Sequence, residues 1–448
     1  MRDGVVVFGH YGQLNLGDEA VAAACFSGAL HALPSARMLG FSLDPIDTHL
    51  KHDVASVGIR VGDWRNDDQR PIDLEETQRI EASPGLRSAV RRIRVLRKSV
   101  LLARKCRGAL VRVAREIGSL PRTWRALSGV RTVIIAGSNQ MMDHFGGPWG
   151  FPYTLIKWAV MARLRGASVV MLSVGAGPLD GWLGRRMILW TLSLTSYVSV
   201  RDPGSARLLK SIGWQKPVPV MPDLAFGLEV EALARKSRFA QGVQPNPRPT
   251  VAVNLMPVHD PRYWPQSDPR IHREYLQAMA DLVTNLLDKD YDVVMFGTQP
   301  ADEWIAEDTL ARLALRGERR ERARLERIST LEELCGLYAK CDAVVATRFH
   351  GILIALRAGK PVLGICYYRK SRELLESFGL GAYAVDIDKL GSARLIDHIA
   401  ALAASEDSVV KQMREGVETR RQQLREQYST ALATSAPPDR RTVVAQCE

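Results

Sequence analysis

The chain has 448 residues, 46% of them hydrophobic and 25% charged, the composition of an ordinary soluble globular protein with room for about two domains of ~100–200 residues each. Its formal net charge of +12 raises the question of nucleic acid, but eleven Arg, two Lys and one Glu between Gly85 and Arg125 carry the whole excess, so the rest of the chain sums to neutral. No uncharged stretch reaches the about twenty residues that a bilayer-crossing helix needs.

In chain order, short β-branched runs alternate with amphipathic helical patterns, the signature of α/β architecture with parallel sheets covered on both faces. The first half reads as strands at 4–9, 36–42, 131–137, 168–175, 197–201 and 218–221, with helices at 18–31, 149–165, 182–195 and 203–212. A strand within five residues of the start leaves no room for a signal peptide, which points to a cytoplasmic protein. Periodicity lapses in "SRFAQGVQPNPRPT" (237–250), a linker, after which strands at 250–256, 292–297, 342–347 and 361–366 and helices at 273–288, 301–316, 330–340, 350–358 and 370–378 repeat the scheme. The organisation is therefore two Rossmann-like domains facing a cleft, residues 1–236 and 250–428, joined by 237–249 and followed by a disordered tail, 429–448.

Within 85–125, Leu86, Val90, Ile93, Leu96, Val100 and their successors recur every three or four residues among the arginines, giving a basic amphipathic insert. It suits an anionic membrane surface, or packs on the first domain or on a second copy of the chain, which leaves homo-oligomerisation open. Without aromatic interleaving or a binding fold beside the charge, nucleic acid is not the expected partner. The six cysteines form no C-x-x-C pair and have no histidines at zinc spacing, so buried thiols, with Cys335 and Cys341 the closest pair, are expected, and neither a disulfide framework nor a metal.

Four stretches carry chemistry-bearing residues. "GHYGQLNLGDEA" (9–20) joins the first strand to the first helix; Asn15 and Asp18 there either cap the helix or hold sugar hydroxyls. It lacks G-x-G-x-x-G, so it does not read as a dinucleotide turn. "AGSNQMMDHFGG" (136–147) offers Asp143 and His144 as an acid/base pair on a loop, or as solvated loop residues. "SYVSVRDPGSARLLKSIG" (196–213) brings Arg201 to a strand end, either to pair with Asp202 or Asp223 or to receive an anion. In "ATRFHGILIALRAGKPVLGICYYRKS" (346–371), Arg348, His350 and Lys370 stand at two adjacent strand ends and helix starts, a cationic pocket for a compact polyanion.

The first, third and fourth of these stretches, with "MPDLAF" (221–226), resemble in order and spacing the polysaccharide pyruvyl transferase family over roughly residues 5–380; the Arg-Phe-His and the lysine twenty residues after the histidine are the most specific parts. The resemblance implies a GT-B-type fold and transfer of a pyruvyl group from phosphoenolpyruvate, a substrate rather than a cofactor, onto two sugar hydroxyls as a cyclic ketal with release of phosphate. By motif position it implies that Arg201, His350, Lys370 and, within the same Arg-x-His element, Arg348 contact phosphoenolpyruvate. His350 is then the proton donor, Asp18, Asp143 or Asp223 the base, and no metal is needed. It also implies a lipid-linked, nucleotide-linked or polymeric sugar acceptor, for which the basic insert would hold the enzyme at the inner face of the plasma membrane. The loop Ala136–Asn139 departs from the run of glycines more usual in the family, and the insert is foreign to its pattern. A nucleotide-sugar glycosyltransferase on the same frame is the main alternative, and a degenerate, non-catalytic scaffold the other.

Overall fold

The computed structural model describes residues 3–60, 114, 116–144, 146–240, 248–264, 267–313, 317–390, 395, 398–399 and 406–434. Most of the basic insert, the linker core and the last fourteen residues lie outside the described residues. The chain builds two parallel six-stranded sheets.

In the first domain the order of elements is β1 (Gly4–Phe8), α1 (Leu16–Ala32), β2 (Arg37–Ser42), α2 (Pro45–His52), β3 (Ala55–Gly58), α3 (116–126), β4 (Val130–Ala136), α4 (Phe151–Leu164), β5 (Ser168–Leu172), α5 (Trp182–Leu194), β6 (Tyr197–Val198), α6 (Pro203–Ser211) and α7 (Val230–Lys236). The second contains β7 (Thr250–Asn254), α8 (Pro269–Asp288), β8 (Asp292–Phe296), α9 (Pro300–Arg312), α10 (Glu318–Arg322), β9 (Ala323–Glu326), α11 (Leu331–Lys340), β10 (Ala343–Ala346), α12 (Phe349–Arg357), β11 (Val362–Cys366), α13 (Arg369–Glu376), β12 (Ala384–Asp386) and the long α14 (Glu406–Ala433).

The sheets run β3-β2-β1-β4-β5-β6 and β12-β11-β10-β7-β8-β9. These are one topology used twice: strand order reverses between β1 and β4 in one domain and between β7 and β10 in the other. Central strands are buried on both faces, as in Val5–Val7 and Val251–Val253, which is why they read as unbroken apolar runs. At each reversal a crevice opens at the carboxyl ends of the strands, the place where such sheets bind ligands.

The expected central strands and covering helices are present, with three differences. The strand expected at 218–221 is a single bridge, Val200 to Val220, because prolines at 217, 219 and 222 remove ladder donors. Strands β3, β9 and β12 and helices α2, α7 and α10 are additional to those expected from the sequence. Residues 429–433 are helical rather than tail: α14 leaves the second domain and returns to the first, burying Tyr428, Ala431 and Leu432. There Gln427 Nε2 donates to Ser199 Oγ at 2.6 Å, and Gly28 leaves the space that the Tyr428 ring fills, where a Cβ would come within 2.3 Å. Cys25, Cys335, Cys341 and Cys366 are buried free thiols, each pushed up to about 12 chiefly by burial.

Candidate functional site

The cleft is built from the loops after β1, β4, β5 and β6 on one side and after β7, β8, β10 and β11 on the other. Its first wall is the β1–α1 turn. Gly12 adopts φ 86°, and its N–H donates to Glu19 Oε1 at 2.8 Å; the other Glu19 oxygen faces His52 Nε2 at 2.8 Å, so this buried carboxylate clamps the turn. Asn15 caps α1 by accepting from Gly17 N at 3.0 Å and donates to Asp18 Oδ2 at 2.9 Å. Asp18 Oδ2 also lies 3.5 Å from His10 Nδ1. Leu16 N donates to the Thr298 carbonyl at 3.0 Å, tying the start of α1 to the second domain.

At that seam α1 meets His350 in the first turn of α12. A Cβ at Gly17 would stand 2.3 Å from His350 Nδ1, so glycine here is what lets the imidazole sit against the helix start. We expect Gly17→Ala to lower turnover by about 100-fold, the cost of a ~1 Å misplacement, with helical circular dichroism unchanged; wild-type turnover would show that the imidazole position is unimportant.

His350 Nε2 lies 3.8 Å from Asp223 Oδ2, an electrostatic contact longer than a hydrogen bond. The same Asp223 oxygen accepts from Arg201 Nη1 at 2.8 Å, and Asp223 Oδ1 accepts from Ala225 N at 3.0 Å. Burial pushes this carboxyl up, but His350, Arg201 and the Ala225 N–H outweigh it and hold it well below the usual carboxylate range. The pair thus stabilises the fold fully above the unfolded carboxylate value of about 4, and the contribution is lost as pH falls below it. Acid unfolding of Asp223→Asn should therefore be less steep with pH below about 4 than that of the wild type; coincident pH profiles would refute the pairing.

Arg201 crosses from the end of β6 with Cζ 5.6 Å from the Phe349 ring. Its Nε and Asn139 Oδ1, both without a hydrogen-bond partner, crowd the side of Gly175 where a Cβ would stand. Lys370 approaches from α13, with Nζ 3.7 Å from Asp202 Oδ2. Asp202 in turn caps α6, accepting from Ser205 N at 2.7 Å. Burial first, then the charge of Arg201, pulls the Lys370 pKa down, against the opposing pull of Asp202 and Asp223. Arg201 from one domain and His350 and Lys370 from the other therefore converge, at the start of α12, whose N-cap residue makes no side-chain capping bond.

The remaining residues singled out from the sequence go elsewhere. Arg348 does not join the cluster: its guanidinium forks onto the buried Asp302, Nε lying 3.2 Å from both carboxylate oxygens, while its backbone N–H donates to Asn254 Oδ1. Asp143 heads α5 rather than an acid/base pair, accepting from Asp180 N at 3.0 Å and Gly181 N at 2.7 Å, and His144 is exposed beside it. Asp223, a base candidate, is ionised and already engaged by Arg201 and the Ala225 N–H. His10 and Asn139, not singled out from the sequence, stand two and three residues beyond the ends of β1 and β4. Among the described residues Asp260, His272 and Asp308 have metal-ligand character, but Arg262 bridges both carboxylates, at 2.6 Å from Asp260 and 2.5 Å from Asp308.

Two doubly wound domains facing a cationic cleft define a GT-B-type fold. Solved structures share this frame: a glycosyltransferase from Rickettsia africae (TM-score 0.56, 10% identity, covering 96% of this chain and 99% of that one) and a UDP-GlcNAc 2-epimerase from Neisseria meningitidis bound to UDP-GlcNAc (TM-score 0.53, 12% identity, 92% and 93%). At such identities the likeness is one of fold. The polysaccharide pyruvyl transferase model matches residues 15–368, and the chain belongs to that family. It is also 22% identical over 300 residues, 64% of this chain and 69% of the relative, to the amylovoran biosynthesis protein AmsJ of Erwinia amylovora. Among the described residues no helix is long and apolar enough to cross a membrane.

Proposed function

We propose that the chain transfers the pyruvyl group of phosphoenolpyruvate to two hydroxyls of a sugar in a cell-surface polysaccharide or its precursor, forming a cyclic ketal and releasing phosphate. The observation that carries this reading is the meeting of Arg201, His350 and Lys370 across the domain seam. Phosphoenolpyruvate places a carboxylate and a phosphate on three carbons, and a guanidinium fork, an ammonium and helix N–H groups match those two anions. Likeness to the amylovoran protein supports an exopolysaccharide setting.

In this mechanism protonated His350 gives its proton to the methylene carbon, which becomes a methyl group and leaves C2 electrophilic. The first sugar hydroxyl adds to C2 and loses its proton. The C2–O bond to phosphate then breaks, phosphate keeping the electron pair beside Arg201 and Lys370, and the second hydroxyl captures the oxocarbenium carbon. One hydroxyl proton restores His350 and the other leaves with phosphate. His10, oriented by Asp18 at 3.5 Å on the acceptor side, takes the latter proton from the first hydroxyl and hands it to the departing phosphate. His10→Ala should accordingly preserve phosphoenolpyruvate affinity while lowering turnover by about 100-fold or more; loss of affinity instead would remove His10 from that role.

Calorimetric titration of the full chain tests the donor. Phosphoenolpyruvate should bind, and Lys370→Met should weaken it by about tenfold or more, the loss of one charge-assisted contact. Binding of a nucleotide sugar, with none of phosphoenolpyruvate, would favour a glycosyltransferase on the same frame.

A further inference from the structure

We propose that the outer face of the first domain, formed by α3, α4 and α5, docks on an anionic lipid bilayer. Among the described residues all the exposed tryptophans lie here: Trp124 on α3, Trp149 just before α4, and Trp182 and Trp190 on α5, at 39%, 65%, 75% and 51% exposure. Tryptophan prefers the boundary between headgroups and acyl chains, because its ring is apolar and its N–H polar. An isolated exposed ring needs no explanation, but four on one face of one domain do.

The sheet topology explains why they share a face. The crossovers from β4 to β5 and from β5 to β6 step in the same direction, so α4 and α5 lie side by side on one side of the sheet, and the two helices pack together. Helix α1, whose crossover steps the other way, covers the opposite side and meets α14 and the second domain. The outer face is thus turned away from the domain seam. On α5 the outward stripe reads Trp182, Arg185, Arg186, Trp190, spaced by three and four residues. On α4 it reads Val160, Arg163, Leu164, again apolar and basic.

Charge selects the partner. From residue 146 to 200 the chain holds one acid, Asp180, against Lys157, Arg163, Arg165, Arg185 and Arg186. Arg122 and Arg125 add exposed charge on α3, and Arg165 stacks on Trp124 at 4.7 Å. Ile59 O accepts from Trp158 Nε1 on α4 at 2.9 Å, and Glu116 on α3, within the basic stretch 85–125 of the sequence, pairs with Lys157 at 2.9 Å. Exposed indoles set among arginines, with Asp180 the one exposed acid between residues 146 and 200, fit an anionic headgroup layer over an acyl phase. A neutral glycan would leave the arginines unanswered, and a second copy of the same face would oppose like charges.

The face also reaches the cleft. The loop that passes Gly175 beside Arg201 leads directly to Trp182 at the head of α5, so docking sets the mouth of the cleft beside the bilayer, where a lipid-linked acceptor would present its sugar. The docking itself does not depend on the reaction proposed above.

Flotation of the full chain with vesicles tests it. Phosphatidylcholine vesicles containing phosphatidylglycerol should carry the protein, and pure phosphatidylcholine vesicles should carry much less. A chain with Trp182→Ala, Trp190→Ala, Arg163→Ser and Arg186→Ser alters only exposed side chains and should melt like the wild type while its partition falls by about 20-fold or more, about fivefold for each arginine alone. Undiminished flotation of that variant would overturn the proposal, leaving any binding to the sequence outside this face. Failure of the wild type to prefer anionic vesicles would overturn it as well, as would a wild-type dimer that the same four changes convert to monomer.

Discussion

His350→Ala should lower phosphate release from phosphoenolpyruvate by about 10²–10⁴-fold, the contribution of a positioned acid, in a protein that melts close to the wild type. The imidazole is one of few groups in the cleft with a nitrogen unspent: Nε2 has no hydrogen bond, and its charge partner Asp223 stands 3.8 Å away. Asp223 therefore stands close to the ring without taking up Nε2 in a hydrogen bond. Arg201→Ala should be as damaging but by another route, raising the phosphoenolpyruvate concentration needed, because it removes an anion-binding guanidinium. The two variants are separated by saturation: excess phosphoenolpyruvate should restore part of the activity of Arg201→Ala and none of that of His350→Ala. Wild-type turnover in either would remove the residue from the site.

Arg348→Met should cost about 3–5 kcal/mol of stability in urea unfolding, the usual cost of orphaning a buried charge. The Asp302 carboxylate is fully buried, and its other partners are Thr298 N at 3.0 Å and Thr298 Oγ at 3.3 Å. Adding Asp302→Asn should recover much of the loss, since the amide oxygen still accepts from Thr298 N and no charge is left unpaired. Loss of phosphoenolpyruvate binding by Arg348→Met with an unchanged unfolding midpoint would instead make Arg348 a ligand contact, as its place in the Arg-Phe-His element implies.

The contrast between Arg348 and His350, two residues apart, locates the limit of reading the sequence. Strand 342–347 followed by a helix start is legible from the apolar run and the change of period, and it places both residues at a strand end. What each side chain meets there is set by tertiary partners: Asp302 lies 46 residues before Arg348, and Asp223 lies 127 before His350, at spacings that carry no local signal. Arg201 was legible because it too ends a strand, and Asp223 and Asp202 were its natural partners. His10 stands in the "GHYGQLNLGDEA" stretch, but nothing in the sequence sets it apart from its neighbours there, and its pairing with Asp18 depends on how tightly Glu19 folds the intervening turn.

The fold was legible wherever strands are central, since burial on both faces makes runs such as Val5–Val7 and Val344–Ala346 continuously apolar. Edge strands β3 and β9 are short and half-exposed, reading "ASVG" and "ARLE", with no alternation to separate them from loops. Helix α14 was obscured by its charge. Its apolar positions Met413, Val417, Leu424 and Tyr428 are spaced by four or seven residues among arginines and glutamates, and only the seam between the domains gives that stripe something to cover.

The most direct test of the central claim is incubation of the purified chain with phosphoenolpyruvate and an acceptor glycan extracted from the host, reading phosphate release and the glycan mass together. The account predicts one phosphate released for each pyruvate ketal gained by the glycan, with both signals lost in His350→Ala. Release of a nucleoside diphosphate from a sugar nucleotide, with phosphoenolpyruvate left intact, would contradict it.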